Sequence, residues 1–351
     1  MPQGSDFEGR DGELLGVPPL VDPAPDIEPA PASDPASRLA RATPDPDRMS
    51  ERARIRTRVR RAQAEMNERS GRDLLPAIGV GLGLGLLGVI SLVFDKHWFV
   101  LFGVGLVGAL VVELATAMRA SGRHVPRIPS ALVVACVVPG SFYFGPAWLW
   151  AAILAGVAFV VVWRIVEALV TREPLLRREL AVDASSAAFV QFYATFLGSF
   201  ATLLAAQPRG EFWVLTFIVI VVCVDTGAYV FGMRFGRTKL APRISPGKTW
   251  EGIVGGVLAA VVAGILAAVF ILELPWWFGI VLGVALTVTA VAGDLTESMV
   301  KRDLRLKDMS NWLPGHGGVF DRLDSMLPSG AMAFALYFVA TPLMHLAGRL
   351  A

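Results

Sequence analysis

Between Ser298 and Asp324 the chain reads SMVKRDLRLKDMSNWLPGHGGVFDRLD. Lys301, Arg302, Arg305, Lys307 and Arg322 are interleaved there with Asp303, Asp308, Asp321 and Asp324, around His316 and the pair Gly317-Gly318. Carboxylates hold hard divalent cations such as Mg²⁺, whereas cationic side chains and backbone N–H groups hold phosphate oxygens. A segment carrying both, directly after an apolar stretch, points to phosphate chemistry beside a membrane, on a nucleotide, a lipid or both.

Two more carboxylates stand inside apolar stretches: Asp225 in IVIVVCVDTGAYVFGMRFG and Asp294 in VALTVTAVAGDLTESMVKR. A charge placed so deep costs at least a few kcal/mol and is usually functional. Neither aspartate has a Lys or Arg within one helical turn on its N-terminal side, so a metal ion or another span must compensate it. Asp294, Ser298, Lys301 and Arg302 fall at i, i+4, i+7 and i+8, one helical face running from a carboxylate to cations at the water boundary. Tyr229, four residues after Asp225, is spaced to donate its hydroxyl to it. Glu113, also in an apolar stretch, reads as a packed, hydrogen-bonding carboxylate or one lining a polar cavity.

A third polar segment is Gly236–Gly252, GRTKLAPRISPGKTWEG. Its Gly247-Lys248-Thr249 invites a phosphate-loop reading, but that loop needs glycine at 242, where this chain has proline. What survives is a turn through Ser245-Pro246-Gly247-Lys248-Thr249, with Glu251, leading into a helix start. There, free N–H groups and the helix dipole favour an anion.

The elements that must position these groups are membrane helices. The chain has 351 residues, 54% hydrophobic and only 18% charged, with mean hydropathy +0.56; a soluble domain carries about a quarter charged residues. Nine apolar segments approach or exceed the ~20 residues that cross a bilayer: 74–94, 98–118, 129–145, 147–168, 186–206, 212–233, 251–272, 276–299 and 329–347. The third is short and bounded by prolines, so a merger with the fourth stays open. Residues 1–50 hold ten of the 23 prolines and read as a disordered acidic tail. Residues 51–73 are an Arg-rich juxtamembrane segment, and 74–351 form the membrane domain. Cys136 and Cys223 read as small buried hydrophobes.

Basic residues mark the orientation. Arg119, Arg123 and Arg127, then Arg172, Arg177 and Arg178, then Arg234, Arg237, Lys239, Arg243 and Lys248 fall in connections on the N-terminal side of the membrane. The other connections carry only Lys96 and Arg209. The expectation is a plasma-membrane protein with its N-terminus in the cytoplasm, its C-terminus outside and its polar segments facing the cytoplasm.

The run Ser298-x-x-Lys301-Arg302-x4-Lys307-Asp308-x4-Leu313-Pro314-x-His316-Gly317-Gly318-x-x-Asp321-Arg322-x-Asp324 resembles the signature of phosphatidate cytidylyltransferases, the CDP-diacylglycerol synthases. Asp225-x-x-Ala228-Tyr229-x-x-Gly232-x3-Gly236 and Ser245-Pro246-x-Lys248-Thr249-x-Glu251-Gly252 resemble earlier motifs of that family in the same order. The resemblance covers about 74–347. It implies transfer of CMP from CTP to phosphatidate, giving CDP-diacylglycerol and pyrophosphate. It also implies Mg²⁺, with a second metal ion compatible, and an all-α polytopic bundle whose active site is a polar cavity open to the cytoplasm.

Under this resemblance Asp294 and Asp321 are the first metal ligands, with Asp225 and Asp324 next. Lys248, Lys301, Arg302 and Arg322 bind the triphosphate or the lipid headgroup. Ser245, Thr249, Glu251, Ser298 and Lys307 complete the substrate contacts, and His316 with Gly317 and Gly318 forms an N–H nest for phosphate. The partners expected are CTP, phosphatidate and membrane lipids, without nucleic acid; Gly-rich spans are compatible with a homodimer. Two rivals stay open. One is a CTP-dependent polyprenol kinase, which would transfer the γ-phosphate instead. The other is a transporter, against which stand the lack of an internal repeat and the clustering of charge at one face.

Overall fold

A computed structural model describes residues 74–171, 177–306, 309–310, 312 and 317–346. The tail, the Arg-rich segment, Lys307, Asp308 and His316 lie outside the described residues. The protein is an all-α polytopic bundle. In chain order its elements are α1 (Leu74–Phe94), α2 (Lys96–Ala120), α3 (Arg127–Thr171), α4 (Arg177–Val190), a π turn (Gln191–Phe196) and α5 (Leu197–Ala205). There follow α6 (Gly210–Phe235), strands β1 (Lys239–Ala241) and β2 (Ser245–Thr249), α7 (Trp250–Ala267) with a π-helical extension to Leu272, α8 (Trp276–Asp303), α9 (Phe320–Leu323) and α10 (Met326–Leu346).

Seven helical stretches among the described residues are long and apolar enough to cross a membrane. The 45-residue α3 is one of them, yet it is not one rod. Gly145 has φ 80° and ψ −167°, a backbone state essentially reserved for glycine, and Pro146 starts the next arm. A Cβ on Gly140 would strike Trp148, and one on Gly156 would strike Val133. In a straight helix residues 133 and 156 would be roughly 34 Å apart, so the two arms must fold back against each other. The segments 129–145 and 147–168 are thus separate arms of one hairpin. The segment 186–206 is likewise not uniform, since the π turn interrupts it between α4 and α5.

The core follows the apolar faces. Leu110, Val111 and Leu114 of α2, Leu203 and Leu204 of α5, Ile220 and Val221 of α6, and Leu286 of α8 are fully buried. Helices α7 and α8 meet backbone to backbone at Gly264 and Gly279 and at Gly283 and Val261, the close approach that small residues give membrane helices. Cys136 departs from its expected burial: it is exposed in an apolar groove between the arms of α3.

Ion pairs gather at both ends of the bundle. At one end Lys96 Nζ lies 2.6 Å from Glu211 Oε2, and Arg209 pairs with Glu273 at 3.4 Å. At the other, Arg123 Nη2 meets Asp303 Oδ2 at 2.6 Å, and the buried pair Arg164–Asp183 joins α3 to α4 at 3.0 Å. Both strands, α9 and the C-terminal ends of α6 and α8 are at this second end.

Candidate active site

The polar end of the bundle encloses a cleft of about 560 Å³. Asp225 of α6, Lys248 of β2, Asp294 of α8, and Asp321, Arg322 and Asp324 at α9 all line it. Six groups from four elements distant in sequence therefore meet in one place.

Helix α8 supplies the floor. Asp294, Glu297 and Lys301 stand at i, i+3 and i+7 on one face, with Asp294 nine residues, about 14 Å, inside the end of the helix at Asp303. Oxygens of Asp294, Glu297 and Asp324 lie within 4.8 Å of one another. Asp324 is brought there by a close crossing at Gly293, where any Cβ would run into the Asp324 carbonyl. Tyr193, from the π turn, donates its hydroxyl to the Gly293 carbonyl at 3.4 Å and packs edge-on against Phe320. It braces both sides of that crossing.

The cations are set among the carboxylates. Lys248 Nζ forms an ion pair and hydrogen bond with Asp294 Oδ2. Lys301 Nζ lies 2.5 Å from Glu297 Oε1 and 3.0 Å from Asp321 Oδ1. These are ion pairs by distance, but neither oxygen has an aligned hydrogen-bond donor. Three converging carboxylates are a donor set that a hard divalent cation takes.

The hairpin β1–β2 carries Lys248 into the cleft, where the sequence suggested only a turn. It is held from three sides. Thr249 caps α7 by accepting from the Gly252 N–H at 3.1 Å. Glu251 accepts from the Arg237 and Thr238 N–H groups, each at 3.1 Å. Arg302 Nε donates to the Ile244 carbonyl at 2.6 Å. Glu251 and Arg302 thus hold the loop, and neither lines the cleft. Ser245 lies in β2 and Ser298 on α8, both half-buried and outside the cleft lining.

The Gly317-Gly318 segment also differs from an open nest. Gly317 is in the left-handed region with φ 79°. The Gly318 N–H donates to Asp321 Oδ2 at 3.0 Å, and the next two amides donate to Glu113. Tyr229 is an exposed part of the cleft wall and makes no hydrogen bond to Asp225.

Three contributors escaped the sequence reading. Glu297 could have been found from its spacing, three residues after Asp294 and four before Lys301. Glu113 reads from sequence as a packed, hydrogen-bonding carboxylate or one lining a polar cavity; its burial and hydrogen bonds match the first, but neither reading names its partners. Tyr193 carries no local signal, because only the π turn aims it at α8.

Residues 77–340 match the model of a family described as the cytidylyltransferase family. The chain is 36% identical over 293 residues to a phosphatidate cytidylyltransferase of Mycobacterium leprae (strain TN), covering 80% of this chain and 92% of that protein. It is 36% identical over 278 residues to one of Mycobacterium tuberculosis (strain ATCC 25618 / H37Rv), covering 77% and 84%. Against one of Haemophilus influenzae the match is 45% over 138 residues, 37% of this chain and 46% of that protein.

Proposed function

This chain belongs to the cytidylyltransferase family, and from that premise we propose that it transfers CMP from CTP to phosphatidate, giving CDP-diacylglycerol and pyrophosphate. The observation that carries the reading is the convergence of Lys248, Asp294, Asp321, Arg322 and Asp324 on one cleft at the end of a membrane bundle.

An oxygen of the lipid phosphate attacks the α-phosphorus of CTP. A new P–O bond forms, the bond to the bridging oxygen of the β-phosphate breaks, and pyrophosphate leaves with the electron pair. The nucleophile is already ionised near neutral pH, so no strong general base is needed, and among the described residues none of the Ser-His or Cys-His kind lines the cleft. The obstacle is repulsion between two anions, which positioned cations and exclusion of water reduce. Lys248 and Arg322, which both line the cleft, would take phosphate oxygens. Lys301 keeps Glu297 and Asp321 in register from beneath.

Asp294, Glu297 and Asp324 would hold Mg²⁺, with Asp225 and Asp321 beside them. When bound, such an ion would supply Lewis-acid stabilisation of the negative charge that develops on the leaving group. Glu297 would thereby join the ligand set, while Asp321 pairs with Lys301.

The remaining features fit this reading. The cleft lies at the end where the basic connections gather, which supports a cytoplasmic active site in the plasma membrane, with N-terminus inside and C-terminus outside. Residues 1–50 and 51–73 then form a cytoplasmic tail and basic anchor ahead of a catalytic domain at 74–351.

The test uses purified full-length protein in mixed micelles with Mg²⁺, phosphatidate and CTP labelled at either the α- or the γ-phosphorus. Label from α-labelled CTP is expected in the lipid and γ-label in pyrophosphate. Label passing from the γ-position to lipid, with a polyprenol tried alongside, would replace this reading with a kinase.

A further inference from the structure

One buried carboxylate is not used by the site. Glu113 lies on α2, is only 1% exposed, and belongs to a helix that contributes nothing to the cleft lining. Burying a carboxylate is costly unless its oxygens are satisfied, and here they are. Oε1 accepts from the Ser310 hydroxyl and from the Val319 N–H at 3.1 Å, and Oε2 accepts from the Phe320 N–H at 2.7 Å. The two amides immediately precede Asp321. Gly318 admits the carboxylate, since a Cβ there would collide with Glu113 Oε1.

Helix α2, through the turn that follows it, also holds the other end of the same segment. Arg123 pairs with Asp303 at 2.6 Å, and the Ser121 hydroxyl donates to the Leu304 carbonyl at 3.2 Å. One helix therefore grips the chain where it leaves α8 and where it enters α9. Between those grips lies the polar segment, and just beyond the second come Asp321 and Asp324.

We propose that Glu113 is a positioning residue for the reaction: from α2 it sets the Val319–Asp324 backbone so that Asp321 and Asp324 face Asp294, Glu297 and Lys301. Hydrogen bonds to an ionised acceptor are about twice as strong as neutral ones and are directional. A packing residue of equal volume would fill the space without fixing two successive amides. Glutamine shows the difference, because its NH₂ group would meet an N–H or hydroxyl donor on one side. The kinetic part of this proposal rests on the cytidylyl-transfer reading; the structural part does not.

The test compares full-length native protein with Glu113→Gln in detergent micelles by amide hydrogen exchange, thermal unfolding and steady-state kinetics. Exchange at Val319 and Phe320 is expected to quicken at least tenfold, with little change in the α3 core. A displacement of about 1 Å at a reacting centre costs on the order of 100-fold in rate. The variant should therefore lose about that much kcat while its apparent KM for CTP stays within about twofold. Exchange at the two amides as slow as in the native chain overturns the proposal. Faster exchange with native kcat overturns the positioning role. If Glu113→Gln does not fold, Gly318→Ala serves with the same readouts, since its Cβ pushes the carboxylate off the amides. A native chain that moves no label from CTP would sink the functional reading, while the exchange comparison would still decide whether Glu113 holds the segment.

Discussion

Asp294 is where the demands on the site meet. It is within reach of Glu297 and Asp324, is paired with Lys248, and lies next to the glycine that lets Asp324 approach. Asp294→Asn keeps the shape and removes the charge. Turnover should fall about 10²–10³-fold, the range found when one preorganised electrostatic contact is lost, while thermal unfolding in micelles stays native-like. Near-native turnover with α-labelled CTP would remove Asp294 from the ligand set. Lys301 answers to a different measurement. Its ammonium pairs with the buried carboxylates of both Glu297 and Asp321, so Lys301→Ala leaves like charges facing each other. Breaking such a set from one side costs about 3 kcal/mol, and unfolding in denaturant should show it. Stability equal to native would mean that water already screens the pair.

At the scale of elements, the hairpin β1–β2 behaves as an arm with three fixings, and Lys248 is its working end. Glu251 binds two loop amides from the first turn of α7. Glu251→Ala should raise the apparent KM for CTP several-fold, about 1 kcal/mol for the lost hydrogen bonds, with kcat nearly kept; a native KM would show that the other two fixings suffice. The hairpin of α3 depends on Gly145. With φ 80° and ψ −167°, any side chain there is strained by about 1–3 kcal/mol, so Gly145→Ala should lower the thermal midpoint in micelles. An unchanged midpoint would mean that the fold-back tolerates another backbone state. How far these elements were legible follows from their physics. The bounding prolines of the third segment leave its merger with the fourth open, and only the contacts of Gly140 and Gly156 show that the chain reverses. The π turn at Gln191–Phe196 replaces no residue type that a helix forbids, so nothing in the sequence marks it. Arg302 reads with Lys301 as a phosphate ligand because i+7 and i+8 are both assigned to the face of Asp294. One residue is 100° of helix, and that rotation sends Arg302 to Ile244 instead.

For the molecule as a whole, the charges most visible in the sequence were those in the wrong solvent. Asp225 and Asp294 stand out against apolar neighbours, and both line the cleft. Glu297 was hidden among polar residues at the end of α8, where a glutamate four before a lysine looks like any surface pair. Glu113 stood out equally, but its partners lie 206 and 207 residues away, a distance no local pattern encodes. The asymmetry of basic connections gives a test at this scale. A cysteine placed at Arg243, in a Cys-free background, should react with a membrane-impermeant maleimide only in inside-out vesicles, and one at Gln207 only in right-side-out vesicles. The reverse pattern would turn the protein over and remove the cleft from cytoplasmic CTP.

The contact between Lys248 and Asp294 has a thermodynamic consequence. The same bond occupies a carboxylate suited to a divalent ion and an ammonium suited to a phosphate. Whichever ligand arrives first must break it, and in doing so exposes the partner group to the second. By linkage the gain is reciprocal: each ligand raises the affinity for the other by the same factor. The resting protein thus keeps these two groups paired with each other, and a lone anion or a lone cation would meet a weaker field than the pair arriving together.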